Sequence, residues 1–217
     1  MQYSEILENL NRRMLDFHQS LSSTQAYKSE ITTSEFFRLT SPRIEEAAQN
    51  LFGGKSDPWL EILHLPHYLL YELAPFLHLV YWDTEVVAPD LFVKLEELFS
   101  HTPFQFQWVF DPSQQKLTFM IDKYSWSVPC THLEQEELWA EPMHFTQLDS
   151  NLTTYLQSQE KCLYVPTGFD QVVQFMLVAL PSIQSLKRYL IPSLDEREEW
   201  FHQGIPVANQ PADIWLL

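Results

Sequence analysis

Residues 104–110 read FQFQWVF, a strict alternation that places Phe104, Phe106, Trp108 and Phe110 on one face of an extended chain. A strand of this kind needs company. Its aromatic face must be covered, and a lone hairpin is marginal in water. The residues that follow, DPSQQ, carry turn chemistry, and KLTFMID can run back as a second strand. The spacing therefore predicts a hairpin at about residues 104–122, with Gln105 and Gln107 toward solvent and helices against the aromatic side. KCLYVP, residues 161–166, reads as a third strand.

Elsewhere the pattern is helical. Ser or Thr followed three residues later by Glu can cap two orphan backbone amides reciprocally, and the spacing recurs at Thr32 to Glu35, Thr131 to Glu134 and Ser193 to Glu196. Ser41-Pro42 and Asp57-Pro58 place a capping side chain before a proline at the first helical position. Apolar spacing predicts helices over about 4–19, 42–52, 58–64, 66–80, 89–99, 132–140, 145–158, 168–180, 182–190 and 194–202. In GFDQVVQFMLVAL, Phe169, Val172, Val173, Met176, Leu177 and Leu180 follow the three-four rhythm of a helix laid on a core. There is no regular strand–helix–strand alternation, no internal repeat and no long Gly/Ser linker. The expected fold is α+β, a helix-dominated single domain of residues 1–217 with a small antiparallel sheet; residue 124 is where it would subdivide.

Several function classes are disfavoured. Only 4 of the 217 residues are glycine, and phosphate cradles need glycine for close backbone approach. Neither GxGxxG nor GxxxxGK[ST] occurs, and FGGKSD (Phe52 to Asp57) lacks the first glycine of a P-loop. No GxSxG marks a serine hydrolase. The formal charge is −16, from 29 acids against 13 bases, which repels nucleic acid and anionic membranes. No window offers the roughly 18 uninterrupted apolar residues of a spanning helix. Met1 to Phe17 lacks the basic-then-apolar pattern of a signal peptide. Cys130 and Cys162 are the only cysteines and read as reduced thiols. The expected location is cytoplasmic, with no cofactor.

The stretch HLPHYLLYELAPFLH, from His64 to His78, raises the question of a metal. On one helix Leu69, Leu70, Leu73, Phe76, Leu77 and Val80 form an apolar arc, while His67, Tyr71, Ala74 and His78 form a separate stripe that excludes Glu72. His67 and His78 would lie about 16 Å apart, too far to share an ion. Only His64 and His67 can do so, and Pro66 places His64 ahead of the helix. The expectation is a core helix whose histidines border the buried face, half wet, with no metal.

Cys130 and His132 invite a nucleophile reading, but Thr131 and Glu134 have a capping role that explains the segment better. The pairs Glu45/Glu46, Glu96/Glu97, Glu136/Glu137 and Glu198/Glu199 diverge by about 100° on a helix and suit a solvated face. No catalytic residue is assigned.

The distribution of charge is more telling. Between Lys55 and Lys94 lie Asp57, Glu61, Glu72, Asp83, Glu85 and Asp90, and no base. Between Lys123 and Lys161 come Glu134, Glu136, Glu137, Glu141 and Asp149, again with no base. SLDEREEW adds Asp195, Glu196, Glu198 and Glu199 around Arg197. Ordinary helix surfaces intersperse Lys with Glu. Acids beside an aromatic anchor make a footprint for a basic protein. The expected partner-binding residues are Glu134, Glu136, Glu137, Trp139, Glu141, Asp195, Glu196, Glu198, Glu199 and Trp200. The apolar tail PADIWLL is expected to dock on the domain.

These features describe an acidic binding protein that engages a basic protein partner, of the immunity-inhibitor or effector-chaperone kind, without catalysis of its own. The alternatives are a hydrolase using scattered His, Asp and Glu, and a DNA mimic whose carboxylates imitate phosphates.

Overall fold

A computed structural model describes residues 2–55, 57–83, 90–100, 102–129, 131–132, 138–139, 154–156, 158–159, 161–164, 172–179 and 183–190. The elements begin with three helices, α1 (Tyr3–Ser23), α2 (Thr33–Gly53) and α3 (Pro58–Leu73), and a 3-10 turn at Ala74–Phe76. Strand β1 (Leu79–Asp83) and helix α4 (Asp90–Ser100) come next. Then follow β2 (Phe106–Asp111), β3 (Lys116–Ile121), β4 (Tyr124–Pro129), β5 (Thr131–His132) and β6 (Leu138–Trp139). The last among the described residues are β7 (Lys161–Tyr164), β8 (Val172–Ala179) and α5 (Ile183–Leu190). The fold is α+β, helix-dominated, with small antiparallel sheets. The chain divides into two compact units, Met1–Leu77 with Pro181–Leu217, and His78–Leu180.

The first unit is helical. α1 buries Ile6, Leu10, Met14, Phe17 and Leu21, one residue per turn along a single stripe. α2 begins at the Thr32–Glu35 box: the Thr32 Oγ1 accepts the Glu35 N–H at 3.3 Å, and the Glu35 carboxylate accepts the Thr32 N–H at 3.1 Å. It ends at Gly54, whose φ of 60° closes the helix as few other residues can. The helix therefore starts nine residues earlier than the Ser41-Pro42 signal suggests. Pro42 lies inside it and has no N–H to offer the preceding turn. The hydroxyls of Thr40 and Ser41 donate back to the carbonyls of Phe36 and Phe37 at 2.8 and 2.5 Å, a pattern that accommodates a bend.

α3 also departs from expectation, running unbroken through Pro66 where two helices, 58–64 and 66–80, were expected. An interior proline costs about 3 kcal/mol. Burying a large aliphatic side chain contributes about 1.5–3 kcal/mol, and Ile62, Leu65, Leu69, Leu70 and Leu73 are all buried. Packing wins. The helix then stops at Leu73, because Pro75 turns the chain into the 3-10 segment and Leu77 is extended. Residues 24–31 return to this point, where Tyr27 bridges Leu77 and the Lys28 N–H donates to the Phe76 carbonyl at 2.9 Å.

The second unit carries the strands. β2, β3 and β4 form an antiparallel meander with Trp108 opposite Phe119 and Phe119 opposite Trp126. Asp111 shapes the β2–β3 turn, its Oδ1 accepting the N–H groups of Ser113 and Gln114 at 2.8 and 3.2 Å. Phe106 stacks on Phe99 of α4 at 5.1 Å, so the aromatic side faces a helix as its alternation requires. Gln105 and Gln107 are exposed. β8 pairs antiparallel with β1 on one side and β7 on the other, and the third strand expected at 161–166 is β7.

Two predicted helices are strands. Residues 172–179 form central β8, in place of the helix over 168–180. Met176, Leu177 and Val178 are buried in succession, and a strand covered on both faces reads as an unbroken apolar run that mimics helical spacing. In place of a helix over 132–140, Thr131 pairs with Trp139 and His132 with Leu138. Thr131 is itself a strand residue and does not cap a helix there. Of the span 145–158, the described residues, 154–156 and 158, are helical. The span 194–202, the Ser193–Glu196 box and the C-terminal tail lie outside the described residues.

Candidate protein-binding surface

Helix α3 sorts its residues sharply. Ile62, Leu65, Pro66, His67, Leu69, Leu70 and Leu73 are buried. Glu61, His64, Tyr68, Tyr71 and Glu72 occupy the opposite arc, within about 100° of one another at 100° per residue. Tyr68 is 43 % exposed and Tyr71 is 54 % exposed. His64 meets Tyr68 edge-on at 6.4 Å.

Arg43 of α2 reaches this arc. Its Nε donates to Glu72 at 3.0 Å, its Nη1 donates to Glu46 at 3.0 Å, and its guanidinium carbon stands 5.8 Å from the centre of the Tyr68 ring. The hydrogen bond to Glu72, then that to Glu46, raises the guanidinium pKa above its ordinary value. The whole arrangement remains wet, with the Arg43 side chain 42 % exposed. Exposed pairs of this kind contribute about 0–1 kcal/mol. The result is a surface of two exposed tyrosines and one arginine beside carboxylates, residue types favoured in protein interfaces except for the acids.

The buried polar groups of this unit do another job. The His67 Nε2 lies 3.2 Å from the carbonyl of Leu190, the last residue of α5. A carbonyl can only accept, so Nε2 carries the proton and satisfies one of the orphan carbonyls at that helix end. His67 is buried, not half wet, and its ring ties two helices together. His18 has its Nδ1 2.8 Å from the Tyr27 hydroxyl and stacks on Phe36 at 4.6 Å. Burial lowers the His18 pKa below its ordinary value and pushes that of Tyr27 far above its own. Both groups are neutral near pH 7. The guanidinium of Arg13, also buried, lies 4.8 Å over the Tyr189 ring of α5. Each polar contact positions the loop at 24–31 or the helices.

The histidine stretch does not form the stripe expected of it. His67 is on α3, and His78 follows the 3-10 turn and immediately precedes β1. Among the described residues no three His, Cys, Asp or Glu come together as metal ligands would. Likewise, no described helix is long and apolar enough to cross a membrane.

Of the expected partner-binding residues, Trp139 lies in β6, where its backbone opposes Thr131. Glu134, Glu136, Glu137, Glu141, Asp195, Glu196, Glu198, Glu199 and Trp200 lie outside the described residues, as does Cys130. The pairs Glu45/Glu46 and Glu96/Glu97 are exposed, as a solvated face requires. The group formed by Arg43, Tyr68 and Glu72 is not anticipated by any pattern in the sequence. Its only local signal is the Arg43–Glu46 spacing, since Glu72 is 29 residues from Arg43 in the chain.

No protein-family model, curated protein or solved structure matches this chain.

Proposed function

We propose that this chain is an acidic cytoplasmic binding protein that engages a basic protein partner and blocks or escorts it. One observation carries the reading. Of the acidic side chains whose burial is described none is buried, and on α3 they flank two exposed tyrosines. Carboxylates kept in water are free to set up an attractive field, and tyrosine offers contact area at low cost in side-chain entropy. The segments 134–141 and 195–200 extend the same chemistry, with Trp139 and Trp200 among their acids. The cytoplasmic assignment rests on a chain with only two cysteines.

The test is kinetic. A partner captured from the native host should associate fast at low salt and slow steeply as salt rises, because screening shortens the field from about 30 Å at 0.01 M to about 10 Å at 0.1 M. Converting Glu136 and Glu137, or Glu198 and Glu199, to lysine should lower the association rate and leave the fold intact. An association rate indifferent to salt and to both double substitutions would mean that the acidity serves solubility alone.

A further inference from the structure

From the geometry of α2 and α3 we infer that their shared outer face is an arginine-recognition surface for a basic segment of the partner, held closed by the chain's own Arg43. This deepens the binding-protein reading and rests on it. The site already shows what it accepts: a guanidinium that donates to Glu72 and Glu46 at 3.0 Å each while facing the Tyr68 ring at 5.8 Å. Two carboxylates and an aromatic face together select the planar, forked guanidinium over a lysine ammonium. Tyr71, three residues further along α3 and 54 % exposed, adds a second ring to the same arc of the helix.

Charge complementarity points to the same occupant. Helix α3 carries Glu61 and Glu72 and no Lys or Arg, so Arg43 comes from a different helix to meet Glu72. Its side chain is 42 % exposed and its two partners are 57 % and 34 % exposed. Contacts this wet are cheap to exchange. An incoming arginine with further contacts of its own can therefore take over Glu72, Glu46 and Tyr68, while Arg43 swings into solvent at little cost.

The measurement is the affinity of a capped hexa-arginine peptide for the full chain at about 0.02 M salt, with hexa-lysine as the comparison. Wild type should bind weakly and prefer arginine. Arg43→Ala should tighten binding about tenfold, and Arg43→Gln should do the same by a smaller factor if the alanine variant melts early. In the Arg43→Ala background, Glu72→Gln, Tyr68→Ala and Tyr71→Ala should each reverse the gain by about fivefold, while Glu96→Gln, the same charge change on α4, should leave it within about twofold. Equal binding by wild type and Arg43→Ala, abolished instead by lysines at Glu136 and Glu137, would overturn this site and leave the binding-protein reading standing. Failure of every form to bind either peptide would overturn both.

Discussion

Arg13, His18 and His67 are each 4–5 % exposed in the helical unit, and the core of the sheet-bearing unit holds a run of stacked rings among aliphatic side chains. In the latter, Phe106 lies on Phe99 at 5.1 Å, and Phe119 lies 6.2 Å from Phe106 and 4.8 Å from Trp126. The contrast follows from where each architecture leaves backbone groups unsatisfied. Helices end in orphan carbonyls and must be tied to their loops: His67 meets the Leu190 carbonyl at the end of α5, and His18 ties α1 to the loop through the Tyr27 hydroxyl. A meander satisfies its own ladder, and its interior asks for shape and area instead. The helical unit should therefore respond to the loss of single polar contacts and to pH, and the sheet unit to the loss of volume.

The largest effect expected is at Phe119, fully buried between Phe106 and Trp126. Phe119→Ala should cost about 3–5 kcal/mol in urea unfolding. A cost below about 1 kcal/mol would mean that the ring stack is not the core of its unit. His67→Leu comes next. It leaves the Leu190 carbonyl buried without its donor, which should cost about 1–3 kcal/mol. A neutral outcome would show water reaching that helix end and would weaken the contrast.

A third expectation separates the units by pH. Burial lowers the His18 pKa from 6.5 in the folded chain. Below 6.5 the unfolded chain therefore binds the proton more readily, and stability should fall as the pH drops, until His18 is protonated in both states. Above 6.5 its contribution is complete. His18→Phe keeps the stack on Phe36 and should flatten this part of the stability–pH curve. An unchanged slope would assign it to other groups. The smallest effect is expected at Trp126, whose indole N–H is buried with no hydrogen-bond partner among the described residues. Trp126→Phe removes that unsatisfied donor and retains a ring against Phe119, which offsets part of the volume lost, so it should cost less than about 2 kcal/mol. A loss of several kcal/mol would reveal a partner for the indole.

The hairpin was legible because its information is local. Alternation sets the face of each residue, and DPSQQ supplies a turn within five residues. The same holds for α1, α4, α5 and the Thr32–Glu35 cap, each written in spacing a few residues long. What the sequence alone misassigned depended on distant neighbours. Residues 172–179 are a strand because β1 and β7 flank them, and no helical rhythm in the apolar run can report that. α3 continues through Pro66 because the aliphatic side chains on either side of it are buried by tertiary packing, outweighing one missing hydrogen bond.

The candidate surface divides in the same way. Acidic runs and interspersed aromatics are properties of the chain itself, and they are enough to suggest a class of partner. The meeting of Arg43 with Tyr68 and Glu72 required two helices to pack side by side. Spacing along a single helix specifies which residues share its face, but not which face of another helix that one will meet; only the burial of both apolar stripes decided it.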